Sequence, residues 1–281
     1  MASSQRGVRA LGCLVVLALA VGAGLGAAYL MGRENGNIAP SALEDRCILT
    51  AAGDSVTLDP EQAHYASIIV GTAVRRGLPA RAGSIAMATV YQESGIRNLD
   101  YGDRDSLGLF QQRPSQGWGS PSEVRDPWYA TDAFYDALVE IDGWQTGDIN
   151  DVAQAVQRSG YPEAYRQHEP NARIIASVLA GRSPQGITCA VRDDAPGDPE
   201  GLAASIEKTL GIAVDPGSAI AADPGDDNTR WALAHHAVAN AGRYGVSAVQ
   251  VGDRRWTRSD GSAPAWQPSE EPTDGVVISF R

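Results

Sequence analysis

PARAGSIAMATVYQESG, residues 79–95, is the stretch on which the reading of this chain turns. Ala82, Ile85, Ala86, Thr89 and Glu93 recur at helical spacing, so residues 79–94 are expected to form a helix with these positions on one face. Gly95 supplies the left-handed residue that ends such a helix. Glu93 therefore closes an apolar stripe and lies near the negative end of the helix dipole. Desolvation and the dipole both disfavour its charged form and are expected to raise its pKa. A carboxylic acid kept protonated near neutrality is the kind of group that serves as a general acid in glycosidic bond cleavage.

The run that follows, QESGIRNLDYGDRDSLGLFQQRPSQGWG from Gln92 to Gly119, resembles the signature of the lysozyme-like lytic transglycosylases of the soluble type. Glu93-Ser94 matches the catalytic Glu-Ser at a helix end. Gly108-Leu109-Phe110-Gln111 matches a Gly-Leu-Met-Gln type segment some fifteen residues on, with Phe for Met. Asp126-Pro127 and the stretch from Ala130 to Leu138 resemble the family's next helix. AVQRSGYPEAY, from Ala155 to Tyr165, resembles the Ala-Tyr-Asn-Ala-Gly block and its downstream Tyr. Here Val156 and Gln157 replace Tyr and Asn, and one residue is extra. The resemblance spans roughly residues 60–181, one domain in size.

The resemblance implies that Glu93 is the catalytic acid and base of peptidoglycan cleavage between N-acetylmuramic acid and N-acetylglucosamine. A 1,6-anhydro product, and no metal or cofactor, go with it. Ser94, Gln111 and Gln112 are the implied orienting or substrate-binding residues, and Tyr161 or Tyr165 the phenol lining the cleft. A hydrolytic, muramidase-type enzyme would use a second carboxylate. Asp100, Asp103 and Asp105 are the candidates, although carboxylates in a polar loop are usually solvated. The plain alternative for Glu93 is an ordinary helix-end carboxylate paired with Arg97 or Arg104. Fold and activity also separate, so the alternative function is a non-catalytic, lysozyme-like glycan-binding or envelope scaffold protein.

With 281 residues, 43% of them hydrophobic, the chain is long enough for one or two domains with a real core. A net charge of -11 argues against nucleic acid as a partner, since such binding rests on basic patches. Arg6 and Arg9 precede an apolar run from Ala10 to Met31. A run of about 20 apolar residues is long enough to cross a bilayer, with its basic flank in the cytoplasm. The expectation is a single-pass membrane anchor with the remaining chain outside. A cleaved signal, with Gly26-Ala27-Ala28 as the site, is the alternative and would give a secreted protein. One apolar segment with no polar residue inside it offers no transport path.

Cys47 and Cys189 bracket the lysozyme-like region, and outside the cytoplasm such a pair is expected to be oxidised. The chain-entropy argument assigns a bridge across so long a loop about 4–5 kcal/mol. His64, His168, His235 and His236 carry no metal-ligand spacing and read as ordinary core or surface residues.

The sequence thus divides into a cytoplasmic tip and anchor (1–31), a stalk (32–46), a lysozyme-like domain (47–190), a linker (191–200) and an accessory module (201–281). The expected fold class is mainly α: a lysozyme-like helical domain behind a transmembrane helix, with a small C-terminal α+β module. That module resembles ones attached to other secreted actinobacterial proteins. It has helices around Leu202–Leu210 and Trp231–Val238, then strand-like alternation at Val246–Val251, around Trp256 and at Val276–Phe280. Expected partners are peptidoglycan strands, the membrane, and an envelope protein through this module. Trp256 and Trp266 are read as packing their own module, with sugar stacking as the other reading.

Overall fold

Residues Arg46–Ala51 and Asp54–Leu58 alternate in a way that makes a hairpin, β1 and β2, with Cys47, Leu49, Val56 and Leu58 turned inward. The two residues between the strands, Ala52 and Gly53, both have positive φ (54° and 93°), the condition for a tight hairpin turn matching strand twist. β3, Ile187–Ala190, pairs with the other edge of β1, giving the antiparallel order β2-β1-β3. Cys47 and Cys189 are register partners across β1 and β3 and are joined by a disulfide, 142 residues apart in sequence. These features come from a computed structural model that describes residues 45–158, 163–192, 195–259 and 261–281.

Between β2 and β3 the chain is helical. Helix α1, Pro60–Arg75, starts at a capping box in which Asp59 and Gln62 satisfy each other's backbone N–H groups. It is buried along almost its whole length and packs against the next helix and four later ones. Helix α2 runs from Ala80 to Ser94 and ends at Gly95 in the left-handed conformation. A short α3 (Pro121–Arg125) leads into α4 (Pro127–Val139), where Asp126 caps the N-terminus. Helix α5, Ile149–Gln157, is capped by Asp148, and α6, Glu169–Leu179, packs along α2.

The rest builds a second antiparallel sheet with two helices. Helix α7 spans Pro199–Leu210 and α8 spans Asp227–Ala239. Strands β4 (Ala219–Ala222), β5 (Val246–Val251), β6 (Arg254–Thr257), β7 (Gln267–Pro268) and β8 (Val276–Phe280) take the order β4-β8-β5-β6-β7. α8 lies on β5 and reaches β3, and α1 packs on both α7 and α8. Gly71 makes the contact with α7 close: a Cβ there would sit 2.4 Å from the Thr209 methyl. Trp256 and Trp266 are both buried. Their indole N–H groups donate to Thr188 Oγ1 (3.1 Å) and to the Ile187 carbonyl (2.9 Å). The two tryptophans thus tie the second sheet to β3. Residues 45–281 form one compact unit with a continuous core that includes residues of both sheets.

The expectation of a mainly α fold, a helical domain followed by a small α+β module, is corrected here. Helix makes up 43% and strand 18%, in two antiparallel sheets, one of which lies within the region expected to be helical. Strands β1 to β3 are only four to six residues long, too short to register against long helical periodicity. β1 and β3 also lie 142 residues apart at the disulfide, so their pairing carries no local signal. Among the described residues no helix is long and apolar enough to cross a membrane. The expected anchor at residues 10–31 lies outside the described residues.

Candidate active site

Glu93 stands one residue before the end of α2, half-buried, where Gly95 turns the chain. Gly95 and Ile96 return their N–H groups to Tyr91 and Val90, closing the helix. Ile96 takes φ 61° while wholly buried, an uncommon conformation for a β-branched residue. This tight exit places the following loop directly over the helix end. Ser94 Oγ donates to the Leu109 carbonyl (2.7 Å), pinning the Gly108-Leu109-Phe110 segment against α2. The loop is braced by bridges between Leu99 and Gly108 and between Leu107 and Gln112. Gly108, at φ 77°, lets the segment touch α3: a Cβ would lie 2.2 Å from the Val124 carbonyl oxygen.

Two side chains from distant elements converge on the Glu93 carboxyl. Tyr165, buried just before the short 3-10 turn at Arg166–His168, donates its phenolic O–H to Oε1 at 2.7 Å. Gln157, the last residue of α5, lies beside Glu93 and favours its charged form, while its Nε2 donates to the Phe110 carbonyl (2.8 Å). Burial raises the Glu93 pKa above the ordinary carboxylate value, against the lowering effect of these two side chains. No carboxylate-neutralising cation reaches it among the described residues. Arg97 pairs with Asp59 and Glu61, and Arg104 lies 4.0 Å from Asp103. Among the described residues Glu93 is thus a helix-end carboxylate that pairs with neither Arg97 nor Arg104.

The remaining candidates divide. Ser94 and Tyr165 meet at the Glu93 end of α2, Ser94 through the loop and Tyr165 directly. Gln111, with φ 49°, spends its amide N–H groups on the Tyr101 and Gly108 carbonyls, so it shapes the loop. Gln112 is buried and donates to the Ala130 carbonyl of α4 (3.0 Å). Tyr161 lies outside the described residues. Of the three loop acids, Asp105 is engaged by Arg113 Nε (2.9 Å), Ser115 N (2.8 Å) and Ser115 Oγ (3.0 Å). These contacts hold its carboxyl well below the usual range. Asp100 and Asp103 are exposed, and none of the three hydrogen-bonds to Glu93 among the described residues.

Sequence reading passed over Gln157, which stands where the resembled family has Asn. That correspondence, within the Ala155–Tyr165 block, was the signal for it. Among the described residues no group of three or more His, Cys, Asp or Glu side chains is placed to hold a metal ion. Comparison with family models and with curated proteins finds no match.

Proposed function

We propose that this chain cleaves the glycan strand of peptidoglycan at the bond between N-acetylmuramic acid and N-acetylglucosamine, with Glu93 as the sole acid and base. The observation that carries this reading is a half-buried carboxyl with a raised pKa, held by Tyr165, flanked by Gln157 and free of any ion pair among the described residues. The order of Glu93-Ser94, the Gly108–Gln111 segment and the Ala155–Tyr165 block, which resembles the lytic transglycosylases, supports the same chemistry.

In the reaction the protonated Glu93 gives its proton to the glycosidic oxygen as the bond from that oxygen to the muramic acid C1 breaks. The carboxylate left behind takes the proton of the muramic acid 6-hydroxyl. O6 then bonds to C1, closing the 1,6-anhydro ring, and no water is consumed. The Tyr165 O–H, already donating to Oε1, holds the carboxylate through the charged stage. Gln157, anchored to the Phe110 carbonyl, favours the charged form of the carboxyl. The engaged state of Asp105 and the exposure of Asp100 and Asp103 favour this single-carboxylate route over a two-carboxylate hydrolysis.

The test is digestion of purified peptidoglycan by the wild-type chain beside Glu93→Gln, with released fragments read by mass spectrometry. Anhydro-muropeptides from the wild type alone are expected, with a rate loss in the variant of at least ~100-fold. Reducing-end products would replace the transglycosylase by a hydrolase. No release from either protein, with glycan binding equal in both, would mean a binding or scaffold protein.

A further inference from the structure

A cavity of 340 Å³ lies where the start of α1 meets the end of α8, beside the disulfide end of β1. Pro60, Val191 and Ala239 give it apolar walls, and His64, Asn240 and Arg243 bring polar groups to it. None of these residues touches the Glu93 carboxyl or the loop held over it.

His64 is only 6% exposed, and the hydrogen bonds around it fix which ring nitrogen carries the proton. Ser67 Oγ donates to the His64 carbonyl (2.7 Å), so it accepts from Asn240 Nδ2 (3.1 Å). The other Nδ2 proton goes to the His236 carbonyl (2.8 Å). Asn240 Oδ1 therefore accepts from His64 Nδ1–H (2.6 Å), and Nε2 is left as a bare lone pair. Nε2 has no hydrogen-bond partner among the described residues. Unlike the free nitrogens of His235 and His236, it is not sealed in the interior, and the cavity lined by the ring is its opening. An acceptor so placed loses free energy unless a donor comes to it.

Arg243 is exposed in the turn after α8, and no ion pair engages it among the described residues. Two carboxylates also line the cavity, and both are taken: Asp45 by Arg192 (3.0 Å) and Glu61 by Arg97. The balance of charge shows at His64. Burial and the Arg243 guanidinium lower its pKa to about 4, and only the Asn240 hydrogen bond acts the other way. At neutral pH the cavity thus presents an unpaired cation and a lone-pair acceptor beside an apolar wall.

We propose that this cavity binds a small carboxylate that carries an N–H or O–H on the carbon next to it, as in an acylated amino acid, a 2-hydroxy acid or the last residue of a peptide. Arg243 pairs with the carboxylate, His64 Nε2 accepts from the N–H or O–H, and the apolar walls meet the alkyl part. The need for a donor follows from the fixed tautomer, since a carboxylate alone brings only lone pairs to Nε2. The site does not depend on glycan cleavage.

Binding is followed on the full-length chain by calorimetry and by the nitrogen-15 spectrum of its four histidines, with His64 assigned from His64→Gln. The probes are N-acetyl-L-alanine, N-acetyl-glycyl-L-alanine and L-lactate. The controls are propionate, which lacks the donor, and N-acetyl-L-alanine methyl ester, which lacks the charge. At least one probe is expected to bind about tenfold tighter than either control and to move the His64 Nε2 resonance. The probe held most tightly identifies the source of the carboxylate. Arg243→Gln, an exposed substitution, should bring that probe down to the level of the controls, and Glu93→Gln should leave its binding unchanged. Probes no tighter than controls, a preference that survives Arg243→Gln, a stationary Nε2 resonance, or binding lost in Glu93→Gln overturns the site.

Discussion

At the scale of the residue, the behaviour of Glu93 follows from what surrounds its two oxygens. Burial favours the protonated form, and Tyr165 and Gln157 favour the carboxylate, with burial the larger effect. Tyr165→Phe removes a donor to the charged form and should raise the Glu93 pKa further. Catalysis needs Glu93 protonated at the outset, so the alkaline limb of the pH dependence of kcat/KM is expected to move to higher pH. A limb that stays put or moves down would show that another group sets it. The same balance predicts a stability effect. A carboxyl whose folded pKa lies above its unfolded value favours folding less as pH rises through the unfolded value and up to the folded one. Glu93→Gln, neutral at all pH values, should therefore unfold at a higher temperature than wild type at pH 7 and show little difference near pH 4. Calorimetric scans at the two pH values check this. Much of this site was legible in the sequence, because the stripe from Ala82 to Glu93 and the Gly95 stop are local patterns. Gln157 was not, since its reach to Glu93 depends on how α5 packs against α2.

At the scale of the element, the loop between α2 and α3 acts as a template set against a helix end. Its shape depends on Gly108, where a methyl group would meet the Val124 carbonyl in a backbone conformation that alanine rarely adopts. Gly108→Ala is expected to cost about 1–3 kcal/mol in denaturant unfolding. Activity should fall further than stability explains, because the Ser94–Leu109 and Gln157–Phe110 hydrogen bonds both end on the shifted segment. Activity assayed well below the unfolding midpoint separates the two effects. The helices of this region were readable from their Asp caps and prolines: Asp59-Pro60, Asp126-Pro127 and Asp148 each begin one. The strands were not. β1 carries only two fully buried residues, and its partner β3 comes after six intervening α-helices, four of them longer than ten residues.

At the scale of the whole molecule, the parts before and after residue 191 are joined by buried polar chemistry. His64 of α1 hydrogen-bonds through Nδ1 to Asn240 Oδ1 (2.6 Å). Asn240 Nδ2 donates to Ser67 Oγ (3.1 Å) and to the His236 carbonyl (2.8 Å). His236 Nε2 meets Ser205 Oγ of α7 (3.0 Å), and His235 Nδ1 donates to the Val178 carbonyl of α6 (2.7 Å). Burial lowers all three pKa values, to about 4 for His64 and His235 and about 3 for His236; the Arg243 charge adds to the effect at His64. The folded state thus resists protons that the unfolded chain accepts below pH ~6.5. Stability should be fully present above that value and fall as pH drops toward 4, by up to about 1.4 kcal/mol per pH unit for each histidine. Urea unfolding between pH 7.5 and 4.5 measures the slope, and His64→Gln should reduce it. A slope unchanged in that variant would remove His64 from the account. Sequence reading took these histidines as ordinary core or surface residues and gave no sign that two of them, His64 and His235, bind one part of the unit to the other. Their partners lie up to 176 positions away.

The disulfide across β1 and β3 has a mechanical meaning as well. Tension applied between residue 45 and residue 281 travels along β1 to Cys47, crosses to Cys189 and continues into the second sheet. The stretch from residue 48 to residue 188, which holds Glu93, Gln157 and Tyr165, hangs as a closed side loop off that load path. Pulling the ends apart can peel the second sheet away while the catalytic candidates carry no direct strain; once the sulfurs are reduced, the same pull runs through every one of them.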